Sequence, residues 1–289
     1  MTSNPIPEKI ARVLEQLAHN RIDATYVETR AQVAQAVEKL LKPGDRIGLG
    51  GSVTLQECGI LDLVRKPEYQ LIDRYEAGLT RAQMQERFRA ALTADVFLSG
   101  CNAITEKGEL YNVDGNANRL AAILFGPDRV ILVAGCQKIV PDVAAAVERV
   151  RTIAAPLNAR RLNKETYCAK TGHCVACGKP IGAGCDSPDR ICRDYAVCAS
   201  QAVPGRIHVI LVGEETGYLC EKTDGKEPEN LREVWKDRAD CCGDPAECII
   251  VDFLQYRSSG TGNTDAGCGI SFYRKWSYHR KGGKPRGGV

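Results

Sequence analysis

The sequence has no long apolar run, and this absence limits where the protein is expected to work. Its longest apolar stretches, such as Val130–Ala134, are far shorter than the roughly 20 residues of a transmembrane helix. The first nine residues also lack the apolar core of a secretory signal. We therefore expect no membrane span and a cytoplasmic location.

Acidic side chains are missing from residues 274–289. This segment carries only basic charges, at Arg274, Lys275, Arg280, Lys281, Lys284 and Arg286. Because the net charge of the whole chain is +3, the rest of the chain is negative, at about −3. This balance argues against a nucleic-acid-binding surface on the main body. We interpret the basic end as a flexible solubilising tail, with a strip that contacts an anionic partner as the alternative.

Cysteine is scarce in the first part of the chain and abundant later. Only three of the 14 cysteines precede Cys168. In a reducing compartment such cysteines are expected to bind metal rather than to form a disulfide framework. The change in composition predicts three regions: an α/β core over 1–160, a cysteine-rich metal module with a returning strand over 161–219, and an extension over 220–289.

Helical and strand patterns alternate along the core. Ile10, Val13, Leu14 and Leu17 recur at helical spacing, and further helices are predicted over 33–41, 52–61, 80–93, 115–124 and 141–151. Strands are predicted at Ala24–Val27, Asp45–Leu49, Gln70–Asp73, Val96–Leu98, Val130–Ala134, Ile207–Val212 and Ile249–Phe253. Such alternation is typical of an α/β fold with a mostly parallel sheet flanked by helices. We expect Ile207–Val212 to return to this sheet or to cover it.

A glycine-rich turn, Gly48–Thr54, joins a predicted strand to a helix. Its backbone donors could bind a phosphate or carboxylate, with Gly50, Gly51, Ser52 and Thr54 as candidates. The turn lacks the Lys-Ser/Thr pair of a Walker loop and the full Gly-x-Gly-x-x-Gly register. The alternative is an ordinary turn in which Ser52 caps the helix. Glu57 follows closely enough to share a cleft with the turn, as a catalytic candidate or as support for the helix dipole.

A second polar cluster lies between Tyr111 and Arg119. Asp114 could act as an acid or base, Asn118 as an amide donor, and Arg119 as an anion clamp. The alternative is a helix cap at Asp114 with solvated amides. Three further candidates for substrate binding follow predicted strands or lie in this cluster: Asn102, Asn116 and Lys138.

The cysteine-rich region is the strongest single signal in the chain. Cys168, Cys174, Cys177 and Cys192 are the first candidates for metal ligands, and Cys185 competes with them from inside the Cys177–Cys192 interval. Four thiolates suit either a 4Fe–4S cluster or an all-cysteine zinc site. A second group could hold another metal and remains speculative: Cys241, Cys242, Cys248 and Cys268.

Blocks along residues 5–218 together resemble the lactate-utilisation (LUD) domain family. These blocks are Gly50–Leu55, Asp73–Tyr75, Asn102–Thr105, Asn112–Gly115, Asn118–Arg119, Phe125–Pro127, Lys138–Val140, Ala155–Asn158, Cys168–Gly172, Ser187–Cys192 and Gly205–Glu214. The resemblance implies a NagB/RpiA/CoA transferase-like fold. It also implies an association with L-lactate oxidation beside iron–sulfur redox partner subunits. The chain departs from the family at the insertion Gly178–Cys185, at Gln137 where Asn is expected, and after about residue 219.

Three hypotheses for the function follow. The first is an iron–sulfur-containing accessory or electron-transfer component of lactate or related hydroxy-acid oxidation. The second is a small-molecule enzyme that binds an anionic or carboxylate metabolite at the glycine-rich turn. The third is a zinc-stabilised binding module whose basic tail contacts an anionic partner.

Overall fold

The computed structural model of the protein describes residues 5–219. Helices in this part of the chain are α1 Glu8–His19, α2 Val33–Glu38, α3 Val53–Glu57, α4 Ile60–Val64, α5 Arg81–Ala90, α6 Asn118–Leu124, α7 Val143–Arg149, α8 Ala155–Arg161 and α9 Tyr167–Thr171. Strands are β1 Asp23–Val27, β2 Arg46–Leu49, β3 Gln70–Ile72, β4 Val96–Gly100, β5 Ala103–Thr105, β6 Leu110–Asp114, β7 Arg129–Gly135, β8 Ile139–Val140, β9 Asp194–Cys198 and β10 Ile207–Val212.

The main sheet has six strands in the order β1-β10-β7-β4-β2-β3. Every pair in it is parallel. β4 and β7 read as near-continuous apolar runs because helices cover both faces of the sheet. The prediction of an α/β fold with a parallel sheet is confirmed. β10 also returns to the sheet as expected, between β1 and β7.

Alternate residues of β7 supply the two cores of the sheet. Val130, Leu132 and Ala134 pack with α1 and α6 on one face. Ile131 and Val133 pack with α2, α3 and α4 on the other face. Side chains of a strand point to opposite faces in turn, so one apolar run fills both cores.

A second sheet, which the sequence did not predict, has the order β8-β5-β6-β9. Within it β6 pairs antiparallel with β5 and with β9. The predicted start of a helix at Gly115 is wrong, because Asp114 is the last residue of β6 and α6 begins at Asn118. Asn112 and Asp114 are buried in β6, and their polarity hides the strand pattern.

Two predicted helices also differ from those observed. The helix predicted over 52–61 is divided into α3 and α4 by Gly59, whose φ of 69° is left-handed. The helix predicted to end at Arg151 instead continues from α7 through a π-helical turn, Val150–Ala154, into α8.

No helix within residues 5–219 is long and apolar enough to cross a bilayer. Several predictions lie outside the described residues: the strand Ile249–Phe253, the basic tail, and the cysteine group at Cys241, Cys242, Cys248 and Cys268.

Candidate anion-binding cleft

A cleft of about 220 Å³ opens at the carboxyl ends of the parallel strands. This is the edge at which ligands of open α/β sheets collect. Nine of the residues predicted for catalysis or substrate binding line it together: Gly51, Ser52, Thr54, Asn102, Asp114, Asn116, Asn118, Arg119 and Lys138. Gly50 and Glu57 are not among its lining residues, so the structure does not place these two at the cleft surface.

Close backbone packing shapes the glycine-rich turn. A Cβ atom on Gly50 would lie 2.4 Å from Ser99 Oγ, and one on Gly100 would lie 2.6 Å from Ser52 Oγ. Ser52 itself caps α3, since its hydroxyl accepts a hydrogen bond from the Leu55 amide at 3.3 Å. The loops after β2 and β4 therefore touch only because both have glycine at the contact.

Arg119 holds the wall of the cleft together. Its Nε donates to Asp114 Oδ1 at 2.8 Å. Its Nη1 donates to the Gly100 carbonyl and Asn112 Oδ1, and its Nη2 to Asn102 Oδ1 and the Val113 carbonyl. A guanidinium has five N–H donors, and all five are used here. In this arrangement Arg119 offers no donor to an anion.

Asp114 is equally occupied. One carboxylate oxygen accepts from Arg119 and the other from the Leu120 amide at 3.0 Å. Its side chain is only 8% exposed. Asp114 therefore orients Arg119 and the start of α6.

Arg74 was not a predicted site residue. Its guanidinium, unlike that of Arg119, is not occupied by hydrogen bonds to the described part of the chain. Its guanidinium lies 4.7 Å above the Phe88 ring, and within residues 5–219 it donates no hydrogen bond. Half-burial lowers its pKa, chiefly through desolvation. Its Nη2 would lie 3.6 Å from a Cβ on Gly51, so it faces the glycine-rich turn. Two sequence signals could have identified it: its position just after the β3 strand, and its place in the family block Asp73–Tyr75.

Lys138 is buried at the base of the cleft. Its Nζ donates to Thr54 Oγ1 at 2.8 Å. Burial, and secondarily the nearby charge of Arg149, lowers the pKa of Lys138 from 10.5 to about 8. This is the environment in which a lysine can change its charge near neutral pH.

Glu57 anchors the chain that follows β10. Its carboxylate accepts from Thr216 Oγ1 at 2.7 Å and from the Gly217 amide at 2.8 Å. Gly217 and Tyr218 line the cleft. Glu57 does not line the cleft, but it fixes the position of the segment Thr216–Tyr218 that forms one side of it.

Arg161 lies at the exposed rim. Its Nε donates to the Tyr218 hydroxyl at 2.7 Å, and its Nη2 to Asn158 Oδ1 at 2.9 Å. Tyr218 in turn donates to the same Asn158 oxygen. These three cleft residues were also not predicted, because the contact joins α8 to the segment after β10.

A second, smaller cavity is bordered by cysteines Cys168, Cys174, Cys185 and Cys192. Cys177 is not among its lining residues. No disulfide joins the cysteines within residues 5–219. In the same part of the chain, no three His, Cys, Asp or Glu side chains are placed to hold one metal ion. Cys192, Val150 and Ala155 line both this cavity and the cleft, so the two spaces share a wall.

Residues 10–212 match the model of the LUD domain. The chain belongs to the LUD domain family. The resemblance stated from the sequence blocks is therefore confirmed. No curated protein matches the sequence of this chain.

Three solved structures show similarity to this chain. A DUF162 family protein from Deinococcus radiodurans is 20% identical, with 72% of this chain and 100% of that chain covered and a TM-score of 0.40. Ribose 5-phosphate isomerase A from Methanocaldococcus jannaschii is 15% identical, with 66% and 97% covered and a TM-score of 0.32. eIF2B beta from Chaetomium thermophilum is 17% identical, with 46% and 47% covered and a TM-score of 0.28. These likenesses concern the chain fold and say nothing about activity.

Proposed function

We propose that this LUD-domain protein binds a small carboxylate metabolite in the cleft, as a component of the oxidation of lactate or a related hydroxy acid. Arg74 carries the proposal. Its half-buried guanidinium has no hydrogen-bond acceptor within residues 5–219, and an unpaired buried cation is costly. A carboxylate would supply two acceptor oxygens in the geometry that a guanidinium prefers.

The charge of the cleft supports an anionic ligand. Among its described lining residues the one carboxylate is Asp114, and this is already paired with Arg119. Arg74, Lys138 and Arg161 add three positive groups that this pair does not neutralise. The surplus of positive charge favours a carboxylate or phosphate over a neutral or cationic metabolite.

Lys138 is the best candidate for an acid–base role. A pKa of about 8 keeps both protonation states accessible near neutral pH, which suits proton exchange. Its hydrogen bond to Thr54 fixes Nζ at the base of the cleft. We therefore assign Lys138 as the group that takes or gives a proton at the bound metabolite. Asp114 and Arg119 position the wall.

The test compares two arginine variants by calorimetric titration with L-lactate and with inorganic phosphate. Arg74→Gln should weaken lactate binding by about 1.5–3 kcal/mol, the range for a hydrogen bond to a charged group, or roughly tenfold to a hundredfold. Arg12→Gln is the matched control, since Arg12 pairs with Glu8 on the exposed face of α1. Unchanged lactate affinity in a folded Arg74→Gln protein would contradict the proposal that Arg74 binds the carboxylate. Binding of phosphate but not lactate would replace the hydroxy acid by a phosphorylated metabolite.

An iron–sulfur role is the second candidate, and the cysteines at the border of the smaller cavity are the reason to consider it. Four thiols border a space that shares a wall with the cleft. A cluster bound there would supply electron transfer. The donor set suits it, because soft thiolates select iron–sulfur clusters, copper(I) or zinc. Redox partner subunits of the kind that the family implies would then accept or deliver the electrons.

Anaerobic purification tests this second role. The protein should be brown and contain about four iron and four sulfide per chain if a 4Fe–4S cluster is bound. A colourless protein loaded with zinc would leave the lactate-binding cleft intact but replace electron transfer by a zinc-stabilised structure.

A further inference from the structure

Lys138 is an amine that lies against the cleft without a carboxylate partner. It lines the cleft and is only 6% exposed. Its one hydrogen bond within residues 5–219 runs from Nζ to Thr54 Oγ1 at 2.8 Å, and no ion pair in this part of the chain includes it. The nearby carboxylate of Glu57 is occupied by Thr216 and Gly217. Two of the three donors of a lysine ammonium are therefore left without an acceptor among the described residues.

The surroundings of Lys138 favour the neutral amine. Burial lowers its pKa from 10.5 to about 8, and the charge of Arg149 adds to this effect. At pH 7 about a tenth of such amines are neutral, whereas for an ordinary lysine the share is below about a thousandth. A neutral amine has the electron pair that attacks a carbonyl carbon. Desolvation beside a second cation is an environment that makes a lysine nucleophilic.

Arg149 has a fixed position in the wall of the cleft. Its side chain is buried. Nη1 donates to the Asn102 carbonyl at 2.8 Å and Nη2 to the Tyr218 carbonyl at 3.0 Å. The cation that disfavours a charged Lys138 is therefore part of the folded structure.

Glycine at position 217 leaves room above the amine. A Cβ on Gly217 would lie 3.0 Å from Lys138 Nζ and 2.5 Å from Thr54 Oγ1, so any larger residue would press on both groups. The cleft of about 220 Å³ has roughly seven times the volume that one water molecule takes in the liquid. A small acid of about six non-hydrogen atoms fits in such a space.

The amine and the guanidinium of Arg74 contact the same short turn. Arg74 lies against Gly51, and Lys138 is hydrogen-bonded to Thr54. These two turn positions are three residues apart, which the chain can span over at most about 11 Å. Both side chains line the cleft. One small molecule can therefore reach both of them.

We propose that Lys138 forms an imine with a 2-oxo acid whose carboxylate is bound by Arg74. A 2-oxo acid has a carboxylate for a guanidinium and, next to it, a carbonyl carbon for an amine. It is also the product when a 2-hydroxy acid loses two hydrogens. The inference rests on the carboxylate binding proposed above, and it adds a covalent step at the same cleft.

The step needs no oxidant or reductant. Nζ of the neutral amine attacks the carbonyl carbon, and the carbonyl oxygen takes up a proton to form a carbinolamine. The C–O bond then breaks, the oxygen leaves as water with the two hydrogens that the amine has lost, and a C=N bond remains. The Thr54 hydroxyl, at 2.8 Å from Nζ, is placed to pass a proton to the leaving oxygen.

Reduction of the imine with cyanoborohydride tests the proposal in the full-length protein, with pyruvate as the probe. The mass of the peptide that contains Lys138 should rise by that of pyruvic acid minus one water plus two hydrogens. Lys66 is the internal control, because it is exposed and its hydrogen bond to Glu38 raises its pKa. Near pH 7 we expect Lys138 to be labelled at least about tenfold faster than Lys66. Equal labelling of the two lysines overturns the proposal.

Acetone and Arg74→Gln separate the imine from the binding of the carboxylate. Acetone has a methyl group where pyruvate has its carboxylate. Relative to the same comparison at Lys66, pyruvate should label Lys138 about tenfold faster than acetone, and Arg74→Gln should lose this preference but still react with acetone. Lactate binding that depends on Arg74, without labelling of Lys138, overturns the imine and leaves the proposed function intact. Labelling of Lys138 that is indifferent to Arg74→Gln supports the imine and contradicts the carboxylate site.

Discussion

Asp114 and Arg119 form an ion pair that is almost completely shielded from water. Their side chains are 8% and 11% exposed, and Nε and Oδ1 are 2.8 Å apart. Arg119 also donates to the Gly100 and Val113 carbonyls at the ends of β4 and β6, and Asp114 accepts from the Leu120 amide at the start of α6. Removing one partner would leave the other charge buried and unpaired, which is far more costly than losing a surface pair.

Arg119→Ala should therefore destabilise the protein by about 3–5 kcal/mol in urea unfolding. Arg119→Lys should recover only part of this loss, because an ammonium cannot reproduce a planar fork of five donors. Arg12→Ala, which breaks an exposed pair, should cost no more than about 1 kcal/mol. A folded Arg119→Ala protein with unchanged stability and weaker lactate binding would instead restore the anion-clamp role predicted from the sequence.

The lowered pKa of Lys138 links its environment to stability. Desolvation is the main cause, and the charge of Arg149 adds to it. Between about pH 8 and its ordinary value of 10.5, Lys138 binds fewer protons in the folded than in the unfolded protein. The free energy of unfolding contributed by this group therefore rises with pH across that interval and is lowest below it.

Lys138→Met should be more stable than wild type near neutral pH, and the difference should shrink as the pH rises from about 8 to 10.5. Urea unfolding of both proteins across this range measures the difference directly, and contributions from other titrating groups cancel. A constant difference would mean that Lys138 is not charged differently in the folded and unfolded states.

The polar residues of the cleft could be found from the sequence, but their roles could not. Asn102 and Lys138 stand out because they follow predicted apolar strands, and Asp114 stands out because it lies in a dense cluster of polar residues. Whether an arginine is available to a ligand depends on every acceptor around it. The acceptors around Arg119 lie on or next to several strands. For Arg74 the aromatic support comes from Phe88 on α5.

At the scale of secondary-structure elements, the turn between β2 and α3 tolerates a side chain at one glycine and not at its neighbour. A Cβ on Gly50 would lie 2.4 Å from Ser99 Oγ and 3.1 Å from Arg119 Cδ. A Cβ on Gly51 would lie 3.6 Å or more from Arg74, which is ordinary contact. The two positions therefore make a matched pair.

Gly50→Ala should lower the free energy of unfolding by about 1–3 kcal/mol, as overpacking in a tight contact does. Gly51→Ala should stay within about 0.5 kcal/mol of wild type, as is usual for an exposed position. Thermal or urea unfolding of the two variants gives the comparison. Equal stability of both would contradict the close approach of the loops after β2 and β4.

The strands of the main sheet were predictable because each is a short apolar run between turn signals. The second sheet was not, for reasons that lie in its strands. β5 has three residues and β8 two, which is too short for a periodic pattern. β6 carries the buried polar residues Asn112 and Asp114, which are stabilised only by contacts with other elements.

For the whole molecule, the position of β10 decides which parts of the chain can fold alone. β10 pairs with β1 on one side and with β7 on the other. A fragment of residues 1–160 would leave β1 without its neighbour and the apolar face of α1 partly uncovered. The domain boundaries predicted from the sequence, at residues 160 and 219, stay predictions.

We expect the fragment 1–160 to be unfolded or aggregated by circular dichroism and size-exclusion chromatography. Co-expression with 161–289 should restore soluble, folded protein, since it supplies β10 to the open sheet. A cooperative thermal transition of 1–160 alone would show that this part of the chain can fold without β10.

The central place of a late strand also determines how the chain must fold as it is made. Thr25 of β1 and His208 of β10 are hydrogen-bonded at 2.7 Å although they are 183 positions apart. β1 and β7 therefore emerge from the ribosome long before the strand that joins them. The edges that they later share with β10 stay open to other chains until β10 has been made. Contacts between such distant residues also make folding slow, so newly made chains should depend on chaperones until residue 212 is free of the ribosome.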